Sequence, residues 1–238
     1  YIKKHKKYKN WWYNPIIHTF GNNGLGGYIH ANLAPFATEL IDKKAYGGRN
    51  ARLEIIEQEL DEFSNKKQLL TVDFGCGVGV STRCLEEVIK GKEINNAHVY
   101  GIDTSYQMIE KATSIDKDSS IIYAKKNVID EPLEHLNSKV DVVTVMYLLH
   151  EVPSEKHYDV LESAYNLLKH DGVLIIVDIS ENYTPSIPML VGEPYLLDYQ
   201  KDIRSTIRKS IKCGKFIVKD GKFMKEFIKD HVSLTVLS

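Results

Sequence analysis

Residues 69–79 read Leu-Leu-Thr-Val-Asp-Phe-Gly-Cys-Gly-Val-Gly, and this stretch decides the fold. A mostly apolar run ends in Asp73, and three glycines follow at alternate positions. Glycine lets a backbone turn sharply and approach a ligand closely. Flanking glycines favour a strand over a helix for a short apolar run. The stretch therefore predicts a buried strand, a tight turn and a helix whose N-terminal N–H groups face a bound molecule.

The spacing of the glycines narrows the class of ligand. Dinucleotide-binding turns follow G-x-G-x-x-G, whereas this chain reads Asp73-x-Gly75-x-Gly77-x-Gly79. No Gly-Lys-Ser/Thr ending follows, so a nucleoside-triphosphate P-loop is not predicted. An acid followed by G-x-G-x-G after the first strand resembles the class I S-adenosylmethionine (SAM)-dependent methyltransferases.

The rest of a βαβ unit follows in register. Residues 81–90 suit a helix, and residues 97–103 read as a second strand that ends in Asp103. Asp103 lies 24 residues past Gly79, close to the offset of about 20 residues at which an acid meets ribose hydroxyls. Thr104 and Ser105 then form a cap for the next helix.

The resemblance implies roles for residues after the second and third strands. In that family the strand-ending acid, here Asp103, holds the ribose, and Met108 matches the helix start that packs on adenine. The family usually has an acid where this chain has Asn127, whose carbonyl can also accept from the adenine amino group, beside the N–H of Val128. Alternatively, Asn127 only caps a turn. The predicted SAM-binding residues are Asp73, Gly75, Cys76, Gly77, Gly79, Asp103, Thr104, Met108, Asn127, Val128, Tyr147 and Arg49.

The segment after the fourth strand carries the predicted catalytic residues. Residues 140–147 read as that strand, and Leu-Leu-His-Glu-Val-Pro follows. Ligands of open α/β sheets lie beyond the carboxyl ends of the strands, so His150 and Glu151 are expected near the reacting centre. Because an imidazole titrates near neutral pH, His150 is the predicted base, with Glu151 as a second catalytic candidate. His18 and His30 are rivals, and a purely structural role for His150 is the alternative.

The resemblance covers residues 65–180 and implies an α/β fold. The expected architecture is a Rossmann-like seven-stranded methyltransferase sheet, mostly parallel with one antiparallel strand, flanked by helices. The predicted division is an N-terminal helical lid at residues 1–52 and a methyltransferase core at residues 53–238. Within the core, a substrate-cap insertion is expected near residues 181–212.

Substrate contacts are predicted on the lid and the insertion. The lid contains both tryptophans of the chain, and aromatic rings over a cleft exclude water and can attract a cation. A glycine-rich loop through residues 21–30 is expected to precede a helix at residues 31–44. Core packing of an added helix pair is the alternative for these aromatics, and helix packing is the alternative for the tyrosines of the insertion. The substrate candidates are Trp11, Tyr13, His18, Tyr28, His30, Glu193, Tyr195 and Tyr199.

Arg49 also lies in the lid, just before a long predicted helix. A planar guanidinium suits carboxylates, so Arg49 is predicted to pair with the amino-acid carboxylate of SAM. A plain surface charge is the alternative.

The length and composition of the chain are those expected of one enzyme of moderate size. The chain has 238 residues, of which 43% are hydrophobic and 26% charged, with a net charge of −1. Its three cysteines lack metal-ligand spacing, so no metal is predicted and a reducing, cytoplasmic location is expected. No run reaches the 18 or so apolar residues that a membrane span needs. The first residue is Tyr1 rather than Met, which leaves an upstream targeting segment open.

The predicted function is in-line methyl transfer from SAM to a small-molecule acceptor, with S-adenosylhomocysteine as the product. The lysine-rich residues 1–9 and 201–230 support an alternative, RNA or protein methylation. A net charge near zero and the lack of a recognised nucleic-acid motif favour a solvated basic face instead. A catalytically inactive cofactor-binding protein is a third reading. The sequence specifies neither the methylated atom nor the oligomeric state.

Overall fold

The computed structural model describes residues 24–238 apart from the side chain of Pro188. Within this range, seven strands form one sheet in the order β3-β2-β1-β4-β5-β7-β6. The strands are β1 (Gln68–Phe74), β2 (Asn96–Asp103), β3 (Ile122–Lys125), β4 (Val140–Met146), β5 (Leu168–Ile179), β6 (Lys225–Ile228) and β7 (Val232–Leu237). The α-helices of the same range are α1 (Gly24–Lys44), α2 (Ala51–Glu59), α3 (Val80–Gly91), α4 (Tyr106–Ile115), α5 (Ser154–Leu167), α6 (Ile187–Gly192) and α7 (Leu196–Lys212).

The strand directions match the expected fold. Strands β1 to β5 pair in parallel, and β7 is antiparallel to both β5 and β6. Phe74, at the end of β1, is level with Ile102 on β2 and Val145 on β4. The carboxyl ends of these three neighbouring strands therefore meet at one edge of the sheet. The prediction of a mostly parallel sheet with one antiparallel strand is confirmed.

Two apolar layers cover the faces of the sheet. Every residue of β4 is buried, as expected for a parallel strand covered on both sides. Val143 and Val145 join the cluster that α5 and α7 complete, whereas Val142 joins the cluster that contains Ile55 of α2 and Leu85 of α3. This alternation follows from the two-residue period of side chains along a strand.

Helix α1 differs from the prediction for the lid. The sequence predicted a glycine-rich loop up to residue 30, but in the described part of this segment the helix already begins at Gly24 and runs for 21 residues. Gly27 and Ala31 are buried one turn apart, and Ala31 packs with Val78 and Met108. Small residues on this face let the helix lie close to the glycine turn, which explains why the glycines are helical.

The predicted insertion at residues 181–212 divides into two parts. Helix α7 buries Tyr199, Ile203 and Ile207 in the main core and packs against α5. Met189 of α6 and the following Glu193 instead line a cavity at the edge of the sheet. Only the first part of the insertion therefore lies where a substrate cap would act.

Across residues 24–238, no helix combines the length and the apolar character that crossing a membrane requires.

Candidate active site

A cleft lies at the carboxyl ends of β1, β2 and β4, and its inner part is named here the turn chamber. Its wall includes Gly75, Cys76 and Gly77 of the glycine turn, and Asp103 at the end of β2. Gly77 has φ of +52° and open space where a Cβ would stand, so its backbone faces the chamber directly. Gly79 has φ of +83° and is the N-cap of α3, and a Cβ there would collide with the Tyr123 hydroxyl.

Asp103 ties the glycine turn to the start of α4. Its Oδ2 accepts from the Gly77 N–H at 2.9 Å, and its Oδ1 accepts from the Ser105 N–H at 2.8 Å. Burial, together with the charges of Glu151 and Asp73, raises the pKa of this carboxyl to about 6. The hydrogen bonds from the two N–H groups act in the opposite direction and lower the pKa. A carboxylate has about four lone-pair sites, so Asp103 can still accept from hydroxyl groups of a ligand.

A larger cavity adjoins the turn chamber and is named here the side chamber. Its volume is about 410 Å³, within the range of small-molecule sites. The two chambers share six lining residues: His30, Ala34, Thr38, Arg52, Tyr147 and Glu151. The remaining lining of the side chamber is Ala37, Ile41, Ala45, Tyr46, His150, Ile179, Tyr183, Met189, Glu193 and His231. A group bound in one chamber can therefore meet a group bound in the other.

His150 in the side chamber is paired with a buried acid. Its Nδ1 lies 2.6 Å from Oδ1 of Asp178, which is fully buried at the end of β5. Burial lowers the pKa of the imidazole, but the charge and hydrogen bond of Asp178, together with Glu193 and Glu151, outweigh it and raise the pKa to about 9. At neutral pH the ring is then protonated and cannot take a proton. The base role of His150 stays a prediction that this pKa does not favour.

The profile of a family described as a methyltransferase domain matches residues 65–231. The chain belongs to this family. The expected class, a class I SAM-dependent methyltransferase, is therefore confirmed in family and in fold.

Proteins with sequences similar to that of this methyltransferase include the ubiquinone biosynthesis O-methyltransferases of two bacteria. The protein of Haemophilus ducreyi is 31% identical over 151 residues, and that of Actinobacillus pleuropneumoniae serotype 7 is 27% identical over 151 residues. Each match covers 61% of this chain and 59% of the relative. The match therefore spans less than two thirds of the relatives' length.

Similar solved structures have the same fold at low sequence identity. The CurJ carbon methyltransferase has a TM-score of 0.64 and 15% identity, covering 87% of this chain and 58% of that one. The magnesium protoporphyrin IX methyltransferase of Synechocystis PCC 6803, crystallised with SAM, has a TM-score of 0.57 and 18% identity, covering 89% and 94%. At these identities, the similarity shows the fold alone.

Asp73 of the methyltransferase lies behind the chamber rather than in its wall. It is fully buried, and its carboxylate accepts from the hydroxyls of Ser81, Thr82 and Thr144, each at 2.7 Å. These bonds join the glycine turn to α3 and β4. The predicted direct contact of Asp73 with SAM is replaced by a role in holding the turn.

The predicted adenine contacts after β3 are also placed elsewhere. The Asn127 Oδ1 accepts from the Ile129 N–H at 3.1 Å, and its Nδ2 donates to Asp130 at 2.9 Å. Asn127 thus caps a turn, as the alternative reading stated. Of the predicted cofactor residues, the turn chamber is lined by Gly75, Cys76, Gly77, Asp103, Met108 and Tyr147, and its described lining leaves out Asp73, Gly79, Thr104, Asn127, Val128 and Arg49.

Arg52, rather than Arg49, lines the two chambers. The Arg49 guanidinium donates to Glu54, with Nη2 at 2.5 Å from Oε2, and lies over the ring of Phe227. Arg52 lines both chambers, with its guanidinium carbon 4.1 Å from the centroid of the Tyr147 ring. The two arginines lie near the same helix start, and sequence reasoning had no signal to rank them.

The predicted substrate residues divide into four groups. His30 and Glu193 line the side chamber. Tyr28 is exposed on α1, whereas Tyr195 and Tyr199 are buried in the core, where the Tyr199 hydroxyl donates to the carbonyl of residue 179. Helix packing therefore explains both core tyrosines. Outside the described residues lie Trp11, Tyr13 and His18. Sequence reasoning missed the site residues Arg52, Asp178, Tyr46, Tyr183 and His231.

Proposed function

We propose that this methyltransferase transfers a methyl group from SAM to a small-molecule acceptor and releases S-adenosylhomocysteine. The observation that carries the proposal is the pair of adjoining chambers at the carboxyl ends of the strands. One chamber is built around a glycine turn and an acid, and the other is a largely apolar space next to it.

The turn chamber suits the methyl donor. Asp103 accepts from the two ribose hydroxyls, and Met108 packs on the adenine ring. The N-terminus of α3, reached through Gly77, offers N–H groups and the positive end of the helix dipole. Arg52 pairs with the amino-acid carboxylate, since its guanidinium can donate two parallel hydrogen bonds.

The reaction needs alignment and a dry site. A lone pair of the acceptor forms a bond to the methyl carbon while the C–S bond breaks, and the electron pair of that bond stays on sulfur. The sulfonium methyl is already activated, so the protein contributes orientation and the exclusion of water. Residues shared by both chambers, among them Tyr147 and Glu151, lie where the two molecules meet.

The acceptor is a small molecule, and we propose that oxygen is the methylated atom. The side chamber has the volume of a small-molecule site and carries Ile41, Met189 and aromatic rings on its wall. The basic residues of α7 contribute nothing to the described lining of either chamber, which disfavours RNA as the acceptor. The name O-methyltransferase of the sequence relatives supports an oxygen acceptor.

The test measures SAM binding first and methyl transfer second. Calorimetry is expected to show one SAM site, and a thermal melt is expected to shift upward with SAM. Incubation with methyl-labelled SAM and a metabolite extract should then give a labelled small molecule, identified by mass spectrometry. Absence of SAM binding would overturn the proposal, and binding without transfer to any extract would favour the inactive cofactor-binding protein.

A further inference from the structure

Three potential metal ligands converge at the junction of the two chambers. His150, Glu151 and Glu193 each offer one ligand atom, and these atoms lie within 4.8 Å of one another. Glu151 lines both chambers, whereas His150 and Glu193 line the side chamber. The first two residues belong to a short 3-10 turn after β4, and Glu193 follows α6. Two separate segments of the chain therefore bring their donor groups to one point beside the cleft.

The imidazole of His150 is held in the orientation that a metal ligand requires. Its Nδ1 faces Oδ1 of Asp178 at 2.6 Å, so Nε2 is the atom that would coordinate, with its proton released to solvent when the metal ion binds. Asp178 is itself fixed, since it accepts from the N–H groups of Leu149 at 2.8 Å and Ile179 at 2.7 Å. Metal-binding histidines characteristically donate their second ring N–H to such a carboxylate, which sets the tautomer and the ring angle.

The charge and the donor types point to one class of ion. The carboxylates of Glu151, Glu193 and Asp178 lie around the imidazole of His150, and the guanidinium of Arg52 also lines both chambers. Three carboxylates outnumber this one guanidinium, so a dication would reduce the remaining negative charge. The imidazole nitrogen suits a borderline ion such as Zn²⁺, and the two carboxylate oxygens, without a thiolate, also suit the harder Mn²⁺. Three protein ligands leave coordination positions open for a further molecule.

We propose that His150, Glu151 and Glu193 bind a divalent first-row metal ion that in turn holds an oxygen of the acceptor. The inference of a metal site depends only on these three residues. The inference that the metal ion holds the acceptor also rests on the proposed methyl transfer. Coordination promotes loss of the acceptor's hydroxyl proton to solvent. The oxygen lone pair then forms the bond to the methyl carbon as the C–S bond breaks, with its electron pair left on sulfur. This assignment replaces the base role of His150, because a ring that coordinates through Nε2 and donates Nδ1–H has no lone pair for a proton.

The expectation of no metal came from cysteine spacing. Glu193 lies 42 residues after Glu151, so the ligands form no compact motif in the sequence. The site depends on the position of α6 over the end of β4, which only the folded chain reveals.

The test uses the full chain, stripped of metal with EDTA and then freed of the chelator. Mn²⁺ is added stepwise and followed by electron paramagnetic resonance, because binding removes the six-line signal of the free ion. Mn²⁺ is chosen because the thiols of the protein bind this ion weakly. One saturable site per chain is expected. Glu193→Gln and Glu151→Gln should each weaken Mn²⁺ binding at least tenfold, and Asp178→Asn should weaken it about 10–100-fold through the ring orientation. The matched control is Glu155→Gln, an exposed carboxylate on α5 that should leave Mn²⁺ affinity unchanged.

The outcomes separate this inference from the proposed function. SAM affinity is measured on the same metal-free protein by calorimetry. Two results would overturn the metal site and leave the proposed methyl transfer standing, provided that SAM binds normally. One is the absence of a Mn²⁺ site, and the other is Mn²⁺ binding that Glu193→Gln and Glu155→Gln affect equally. Absence of SAM binding with an intact, Glu193-dependent Mn²⁺ site would support the metal site and overturn the proposed function. Thermal melts of each variant establish that it is folded.

Discussion

The turn chamber and the side chamber are built in different ways from the same edge of the sheet. The turn chamber is formed by the glycine turn, by the carboxylates of Asp103 and Glu151, and by residues of α1. The side chamber uses side chains from α1, from the turn after β4, from α6 and from His231 before β7. Both chambers take residues from α1, from α2 and from the turn after β4. The glycine turn and Asp103, however, come from one short stretch of sequence, whereas the residues found only in the side chamber come from segments far apart in the chain.

The largest expected effect comes from closing the turn chamber itself. Gly77→Arg should abolish the SAM-induced shift in melting temperature, because the new side chain fills the open space above the turn. Gly214→Arg is the matched control, since Gly214 also has positive φ, +71°, but is exposed and open. It carries a similar backbone strain without touching the cleft, and its shift should persist. Equal shifts in both variants would place SAM outside the turn chamber.

Substitutions of two acids near the glycine turn should have different effects, one on SAM affinity and the other on the free energy of unfolding. Asp103→Ala removes charged hydrogen bonds to the ribose and should weaken SAM binding by about 1.5–3 kcal/mol, roughly ten- to a hundredfold. Asp73→Ala removes the acceptor of three buried hydroxyls. It should lower the free energy of unfolding by at least about 1.5–3 kcal/mol. Calorimetry and urea denaturation measure the two quantities, and the reverse pattern would exchange the roles of the acids.

The two arginines test the boundary between the chambers. Arg52→Gln should weaken SAM binding about tenfold, as expected for the loss of one charged hydrogen-bonded pair of about 1.5 kcal/mol. Arg49→Gln breaks an exposed pair with Glu54 and a contact with the Phe227 ring, both outside the chambers, and should leave the affinity unchanged. Calorimetry on both variants decides between them, and a larger loss at Arg49 would restore the original prediction.

The smallest effect is a pH dependence of donor binding. The pKa of Asp103 is raised to about 6 in the ligand-free protein, so its charged form is present above that pH and is lost below it. Only the carboxylate accepts from both ribose hydroxyls. SAM affinity should therefore halve near pH 6 and fall up to tenfold for each further unit of acidity. Asp103→Asn cannot titrate, and its weaker affinity should stay flat over this range; a parallel decline in the variant would assign the titration to another group.

The difference between the chambers also explains what the sequence predicted. The strand, the glycine turn and Asp103 lie within a short stretch with a fixed spacing, so their geometry follows from local rules. His150 and Glu151 follow from the rule that ligands lie at strand ends. The adenine contact of Asn127 stays a prediction; its side chain hydrogen-bonds to Ile129 and Asp130 of its own turn, which the residue type alone does not reveal.

The remaining site residues depend on contacts between distant segments. Arg49 precedes the N-cap of α2, whereas Arg52 lies in the first turn of that helix. Asp178 contacts His150 because β5 ends beside the turn after β4. The glycine-rich start of α1 was predicted as a loop, because glycine disfavours helices. There, packing of Gly27 and Ala31 close to the glycine turn outweighs the intrinsic preference.

Strand β7 has a consequence for synthesis of the protein. It lies between β5 and β6, although it is formed by residues 232–237, and His231 just before it completes the side chamber. A nascent chain that has emerged from the ribosome through β5 contains the glycine turn and all the parallel strands from β1 to β5. It lacks His231 and the internal strand β7 until residues 231–237 have been synthesised. A translation product that stops short of β7 would therefore lack both a wall residue of the side chamber and the strand that joins β6 to the sheet.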